Sequence, residues 1–197
     1  SHSLVTTGKI GVIWSFGDGD FGKLGHGGEG NEVVPRLIEA LSGVVVKQVA
    51  AGMHHSMVLT RGGDVFTWGC GDVGELGHGD EDIQHAPKRV EGFTNVTDIA
   101  AGAAHSLAVV GGGAVYTWGY NYYSQLGLGD HGGSTHRDVP TEVTGVNGAV
   151  AVAAGGFHSF ALSRDGTAMA CGWNISGQMG LGDTVQRDTF TVVAGLR

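Results

Sequence analysis

Short apolar runs alternate with glycine-rich polar stretches along the whole chain, and the alternation repeats. His55 to Arg61 (HSMVLTR) and Val65 to Trp68 (VFTW) read as two strands joined by Gly62-Gly63-Asp64, a tight turn of the kind hairpins use. In the second of these, Val65 and Thr67 fall on one face and Phe66 and Trp68 on the other. Ahead of them Lys47 to Gly52 (KQVAAG) reads as a short buried strand of small residues. Behind them Pro87 to Val90 (PKRV) reads as an outer strand, where proline's missing N–H does least harm. The same order returns in Ala100 to Val110 followed by VYTWGY, and in Ala153 to Ser163 followed by AMACGW. Helical spacing of apolar residues is absent, which excludes a helical solenoid.

A glycine loop and a Leu-Gly-x-Gly turn follow each third strand: TWGCGDVGELGHGD from Thr67, TWGYNYYSQLGLGD from Thr117 and ACGWNISGQMGLGD from Ala170. A further copy, IWSFGDGDFGKLGHGG from Ile13, gains two extra loop residues when its Trp14 is aligned with Trp68 and Trp118. The anchors Leu24, Leu76, Leu126 and Met179 lie 52, 50 and 53 residues apart, a regularity that marks a repeat protein. Four short antiparallel strands in each period predict an all-β fold of propeller blades. The units are expected at about 1–52, 53–102, 103–155 and 156–197. Ala-Ala-Gly occurs three times and His-Ser four times, so the last unit is expected to lack its final strand. The chain then reads as a piece of a longer array or one completed by a second chain, with open blade edges offering self-association.

Composition supports turn-dense β-structure: 38 glycines accompany only three prolines, with no collagen period. Nineteen Asp and Glu against eleven Lys and Arg give a net charge of -8, which argues against direct nucleic-acid binding and for a protein partner. Cys70 and Cys171 sit at different places in their repeats and read as free thiols of an intracellular, cytoplasmic or nuclear protein. No apolar run is long enough for a helical membrane span.

Candidate chemistry is weighed against the repeat itself. Gly17-x-Gly19-x-x-Gly22 and Gly69-x-Gly71-x-x-Gly74 satisfy a dinucleotide pattern, but Leu24 stands where a phosphate loop needs Ser or Thr, and no helix follows. Recurrence at one place per unit makes these loops structural turns. His55, His105 and His158 come one per blade, too dispersed for a single metal site, and are expected to bond backbone groups of their own blade. Asp18 and Asp20 suggest calcium, but the later ligands and closing Glu are missing. Trp14, Trp68 and Trp118 are read as one core position. No catalytic, cofactor or metal residues are assigned. Departures from the repeat are the better guide to function: Tyr122 and Tyr123 replace Asp72 and Val73, and the lengthened first loop is expected to lift Asp18, Asp20 and Phe21 outward beside Lys23. These six residues form the expected protein-binding set.

Ala-Ala-Gly-x-x-His-Ser, seen three times in full, followed by a Trp-Gly strand and the Leu-Gly-x-Gly turn, resembles the regulator of chromosome condensation repeat family over essentially the whole chain. SFGDGDFGKLGHG looks most like the propellers inside HERC-type ubiquitin ligases. The resemblance implies part of a seven-bladed ring and a protein-interaction module of a larger regulatory protein, with any catalysis elsewhere. Its partner would be a ubiquitination substrate or a small GTPase. It also implies two alternatives: nucleotide exchange on a Ran-type GTPase, for which no long insertion is seen beyond the loop from His131 to Asp138, and chromatin association. The Gly-Trp-Arg-His-Thr motif of the family's plant ultraviolet-B receptor is absent, and Trp173 reads as a lone tryptophan.

Overall fold

The computed structural model describes residues 1–8, 11–132 and 135–195. Fifteen strands form four antiparallel sheets, each built from strands in chain order. β1 (His2–Thr7), β2 (Val12–Gly17) and β3 (Glu32–Leu37) make the first. β4 (Val46–Ala51), β5 (His55–Thr60), β6 (Val65–Gly69) and β7 (Gln84–Arg89) make the second. The third holds β8 (Val96–Ala101), β9 (His105–Val110), β10 (Val115–Gly119) and β11 (Arg137–Glu142). The fourth holds β12 (Ala149–Ala154), β13 (His158–Ser163), β14 (Ala168–Gly172) and β15 (Arg187–Val192). These are propeller blades, as the repeat predicts.

The sheets divide the chain differently from the expected units. Each Ala-Ala-Gly strand pairs with the His-Ser strand that follows it, Ala51 opposite Ser56 and Ala101 opposite Ser106. The three-stranded sheet is therefore the first, not the last, and its open edge lies along β1.

Strand register also corrects the alignment of the first unit. Gly17 pairs with His2 as Gly69 pairs with His55, and the outer-strand register slips at Phe16 as it does at Trp68 and Trp118. Such a bulge marks one structural position. Phe16 therefore occupies the tryptophan site, and Trp14 corresponds to Phe66 and Tyr116. The first loop has no extra residues. Trp14 is half-exposed, its indole N–H donating to Thr7 Oγ1 at 3.1 Å, whereas Trp68 and Trp118 are fully buried.

A single sheet has two faces and no interior, so the core lies between blades. Ile13, Ile38, Leu41, Val46, Val58 and Trp68 fill the first joint. Met57, Leu59, Val90, Ile99, Ala108 and Trp118 are among those filling the second, and Leu107, Val109, Val143, Val152, Cys171 and Phe190 among those filling the third. Side chains tie the inner strands too: the Gln48 amide donates to the Ile99 carbonyl at 2.9 Å, and the Val152 N–H donates to Asp98 Oδ2 at 2.8 Å.

Candidate protein-binding face

Every β-strand that ends in Gly69, Gly119 or their counterparts runs into a loop at the same end of the propeller as the Gly-x-x-His turns. Gly69 makes the join possible: it has φ +112°, and a Cβ there would stand 2.4 Å from the His54 carbonyl oxygen. The resulting face carries residues 17–23, 69–75, 119–125 and 172–178 with the turns at 52–55, 102–105 and 155–158.

Under this face the histidines and serines form a ladder across the joints. Ser56, Ser106 and Ser159 donate to the carbonyls of Lys23, Glu75 and Gln125 at 2.7, 2.8 and 2.6 Å. Each hydroxyl proton being thus committed, the imidazole must donate: His2, His55 and His105 place Nε2 at 2.7, 3.0 and 3.0 Å from those same serines of the next blade. The expectation that these histidines bond their own blade is therefore wrong; they staple it to its successor. Nδ1 of each is buried with no partner among the described residues, which agrees with the Nε2–H tautomer that the donation to serine requires. Burial pushes His55 and His105 down to about 3, and His2, also beside Lys23, to about 4. The glycine of the motif makes room for the ring, since a Cβ on Gly102 would meet His105 Cε1 at 2.0 Å. His158 is half-buried and lies edge-on to Phe160.

The expected binding set divides. Tyr122 is 49% exposed, and Tyr123 is half-buried. Asp20 is exposed, and Phe21, at φ 62°, rests edge-on against His54 with ring centres 5.1 Å apart. Lys23 is not available for binding: it is fully buried, with Nζ 2.7 Å from Asp18 Oδ2. That hydrogen bond from Lys23 holds the Asp18 carboxyl well below its ordinary range. At the next blade Glu75 takes the place of Lys23, and burial pushes its carboxyl up to about 6. Cys70 and Cys171 are free and buried; burial raises the Cys70 thiol to about 12 and Cys171 well above the ordinary range, so neither is a nucleophile.

Three further residues complete an aromatic cluster. Tyr123 lies 5.0 Å from Tyr122, 5.1 Å from Phe157 and 5.5 Å from Trp173, and Tyr120 lies 6.3 Å from Tyr122 and Phe157. Trp173 is the one tryptophan of this cluster, packed against Tyr123 and Phe157. Tyr120 and Trp173 stand at the position of Asp18 and Cys70, and Phe157 at that of His54 and Ala104; these departures from the repeat were the available signal. Among the described residues no group of three or more His, Cys, Asp or Glu is placed to hold a metal ion.

The regulator of chromosome condensation (RCC1) repeat matches residues 11–59, 62–109 and 112–162. The chain belongs to the RCC1 repeat family. Among RCC1-repeat proteins it is 47% identical over 81 residues to the human E3 ubiquitin-protein ligase HERC2, covering 41% of this chain and 2% of that one. It is 36% identical over 173 residues to the ultraviolet-B receptor UVR8 of Arabidopsis thaliana, covering 87% of this chain and 39% of that one. The yeast RCC1 structure, Prp20 bound to Kap60, superposes with a TM-score of 0.82 at 27% identity, covering 98% of this chain and 46% of that one. The chain thus spans less than half the length of each of these RCC1 relatives.

Proposed function

We propose that this propeller segment is a protein-docking module of a larger regulatory protein, of which a ubiquitin ligase is the best example, and that it engages its partner through the loop face. One observation carries this reading: five aromatic rings from two blades gather on that face with Tyr122 half out in water. Clustered, rigid, partly exposed aromatic side chains are the usual anchors of interfaces. Among the described residues each serine hydrogen-bonded to a histidine is buried and gives its proton to a backbone carbonyl, so none is poised as a nucleophile, and we assign any ligation chemistry to another domain. Tyr122→Ala should leave the melting midpoint within about 1 °C, since surface substitutions cost under about 0.5 kcal/mol. Installing a photo-cross-linker at Tyr122 should trap a partner, and the trapped species should be lost when Tyr120 or Trp173 is changed to Ala. Unfolding by Tyr122→Ala would remove the loop from consideration.

Likeness to yeast RCC1 supports a second reading, nucleotide exchange on a small GTPase. The candidate insertion from His131 to Asp138 includes residues 133 and 134, which lie outside those described, and its last two residues open β11. Acceleration of nucleotide release from a panel of GTPases would replace the docking reading with the exchange one.

A further inference from the structure

The loop face is not chemically uniform. Position by position, Asp20, Asp72, Tyr122 and Ile175 are equivalents on successive blades, as are Asp18, Cys70, Tyr120 and Trp173. At these positions the first two blades carry Asp18, Asp20 and Asp72, with the buried Cys70 the exception, where the last two carry rings and an aliphatic side chain. Lys23 is the one Lys or Arg in residues 17–23, 69–75, 119–125 and 172–178 or the intervening turns, and it is buried against Asp18. Asp20 and Asp72 are exposed and have no ion-pair partner among the described residues. Over the third and fourth blades the loop carboxylates Asp130 and Asp183 are already taken by Arg137 and Arg187. Exposed, unpaired carboxylates thus lie on one half of the face and none lies in residues 119–125 or 172–178 of the other, where Tyr122 (49%) and Ile175 (61%) are exposed; Met53 (61%) is the exposed apolar side chain of the acidic half.

Resting on the docking reading above, we propose that the occupant is an extended segment bearing arginines at one end and bulky apolar residues at the other. Its arginines lie over Asp20 and Asp72, and its apolar end lies over the Tyr122 and Trp173 cluster. Arginine suits both halves of the junction, because its planar cation pairs with carboxylates and also stacks on aromatic rings. An acidic segment is repelled by the first two blades and finds no cation to pair with.

The test uses the full 197-residue chain and three fluorescent synthetic peptides, each ending in a Trp-Leu pair and differing in whether the other end carries arginines, lysines or glutamates. The arginine peptide should bind most tightly, with an affinity that falls as salt is raised. Asp20→Lys with Asp72→Lys should weaken it about tenfold or more and improve the glutamate peptide, while Tyr122→Ala should weaken both. Both aspartates are exposed, so an unchanged melting midpoint serves as the control for folding. Equal binding of the glutamate peptide, or indifference of the arginine peptide to charge reversal, overturns the inference. So does failure of the arginine peptide to bind; if the photo-cross-linker at Tyr122 still traps a partner, docking survives and only the chemistry of the occupant is wrong. If neither binds, both readings fall.

Discussion

At the scale of single residues, the histidine ladder makes stability depend on pH with a definite sign. His55 and His105 have an ordinary value of 6.5 in the unfolded chain and about 3 when buried, so the unfolded state takes up protons first as pH falls. Their contribution is full above pH 6.5 and declines toward pH 3, by on the order of 1 kcal/mol per histidine for each pH unit. Glu75 acts in the opposite sense: its carboxyl lies near 6 in the fold against 4.5 outside it, so protonation between those values favours the fold and offsets part of the loss. Urea unfolding at pH 7 and pH 5 should show lower stability at pH 5. His105→Ala should flatten the difference, and Glu75→Gln should steepen it. Equal pH slopes in His105→Ala and the parent would show that the ladder does not titrate. The need for a histidine in every unit was visible in the sequence. Its partner was not, because the bond runs to a serine some 50 residues away in the next blade, and periodicity says nothing about which neighbour a side chain faces.

At the scale of the strand, pattern and register carried unequal information. The order of inner, second, third and outer strand in the three four-stranded blades followed directly from the alternation of apolar runs and glycine turns. The equivalence of Trp14 with Trp68 did not survive: the two alignments differ by two residues, one full period of a strand, so alternation of faces fits both and the matching letter decided wrongly. Ser15 was the better guide: its hydroxyl donates to the Leu24 carbonyl at 2.6 Å just as Thr67 donates to Leu76 at 2.6 Å and Thr117 to Leu126 at 2.8 Å. Placing Ser15 with the threonines removes the apparent insertion and explains why Lys23 lies buried. The distinction is measurable. Trp68→Ala should cost about 3 to 5 kcal/mol, because it empties the first joint and removes the 2.8 Å bond from its indole to the Lys23 carbonyl. Trp14→Ala, at a half-exposed site, should cost less than about half of that. Similar losses for the two would restore the original alignment. The aromatic cluster was legible only in part: Tyr122 and Tyr123 stood out as neighbours in one loop, whereas Phe157 and Trp173 reach them from the adjoining blade.

At the scale of the whole molecule, the two ends of the blade stack present unmatched halves of the joint that the interior repeats. Val5 is 41% exposed where its counterpart Val58 is 0%, and Leu162 is 42% exposed where Leu59 is 0%. What lies open at the two ends is chiefly two apolar sheet faces, and the first sheet, without the inner strand of the others, also has a free inner edge along β1. The first face, with Val5, Trp14 and Phe16, has the shape that receives a preceding blade, and the last, with Phe160 and Leu162, has the shape that precedes one. Such heterologous halves join head to tail. The 197-residue chain in isolation should therefore show a mass that rises with concentration in sedimentation equilibrium, and Leu162→Asp should hold it monomeric. A single mass at all concentrations would mean that the two faces do not recognise each other.

Because cohesion resides in joints between neighbours, motion is graded along the stack: a blade held on both sides opens less readily than one held on one side. The aromatic cluster straddles the joint between the third and fourth blades, tying Tyr123 to Phe157 and Trp173. Anything that settles on those rings grips both blades at once. Occupancy would then be felt as rigidity, with slower amide exchange in β12 to β15 well away from the loops, so a bound partner would set the stiffness of the outermost blade as well as its company.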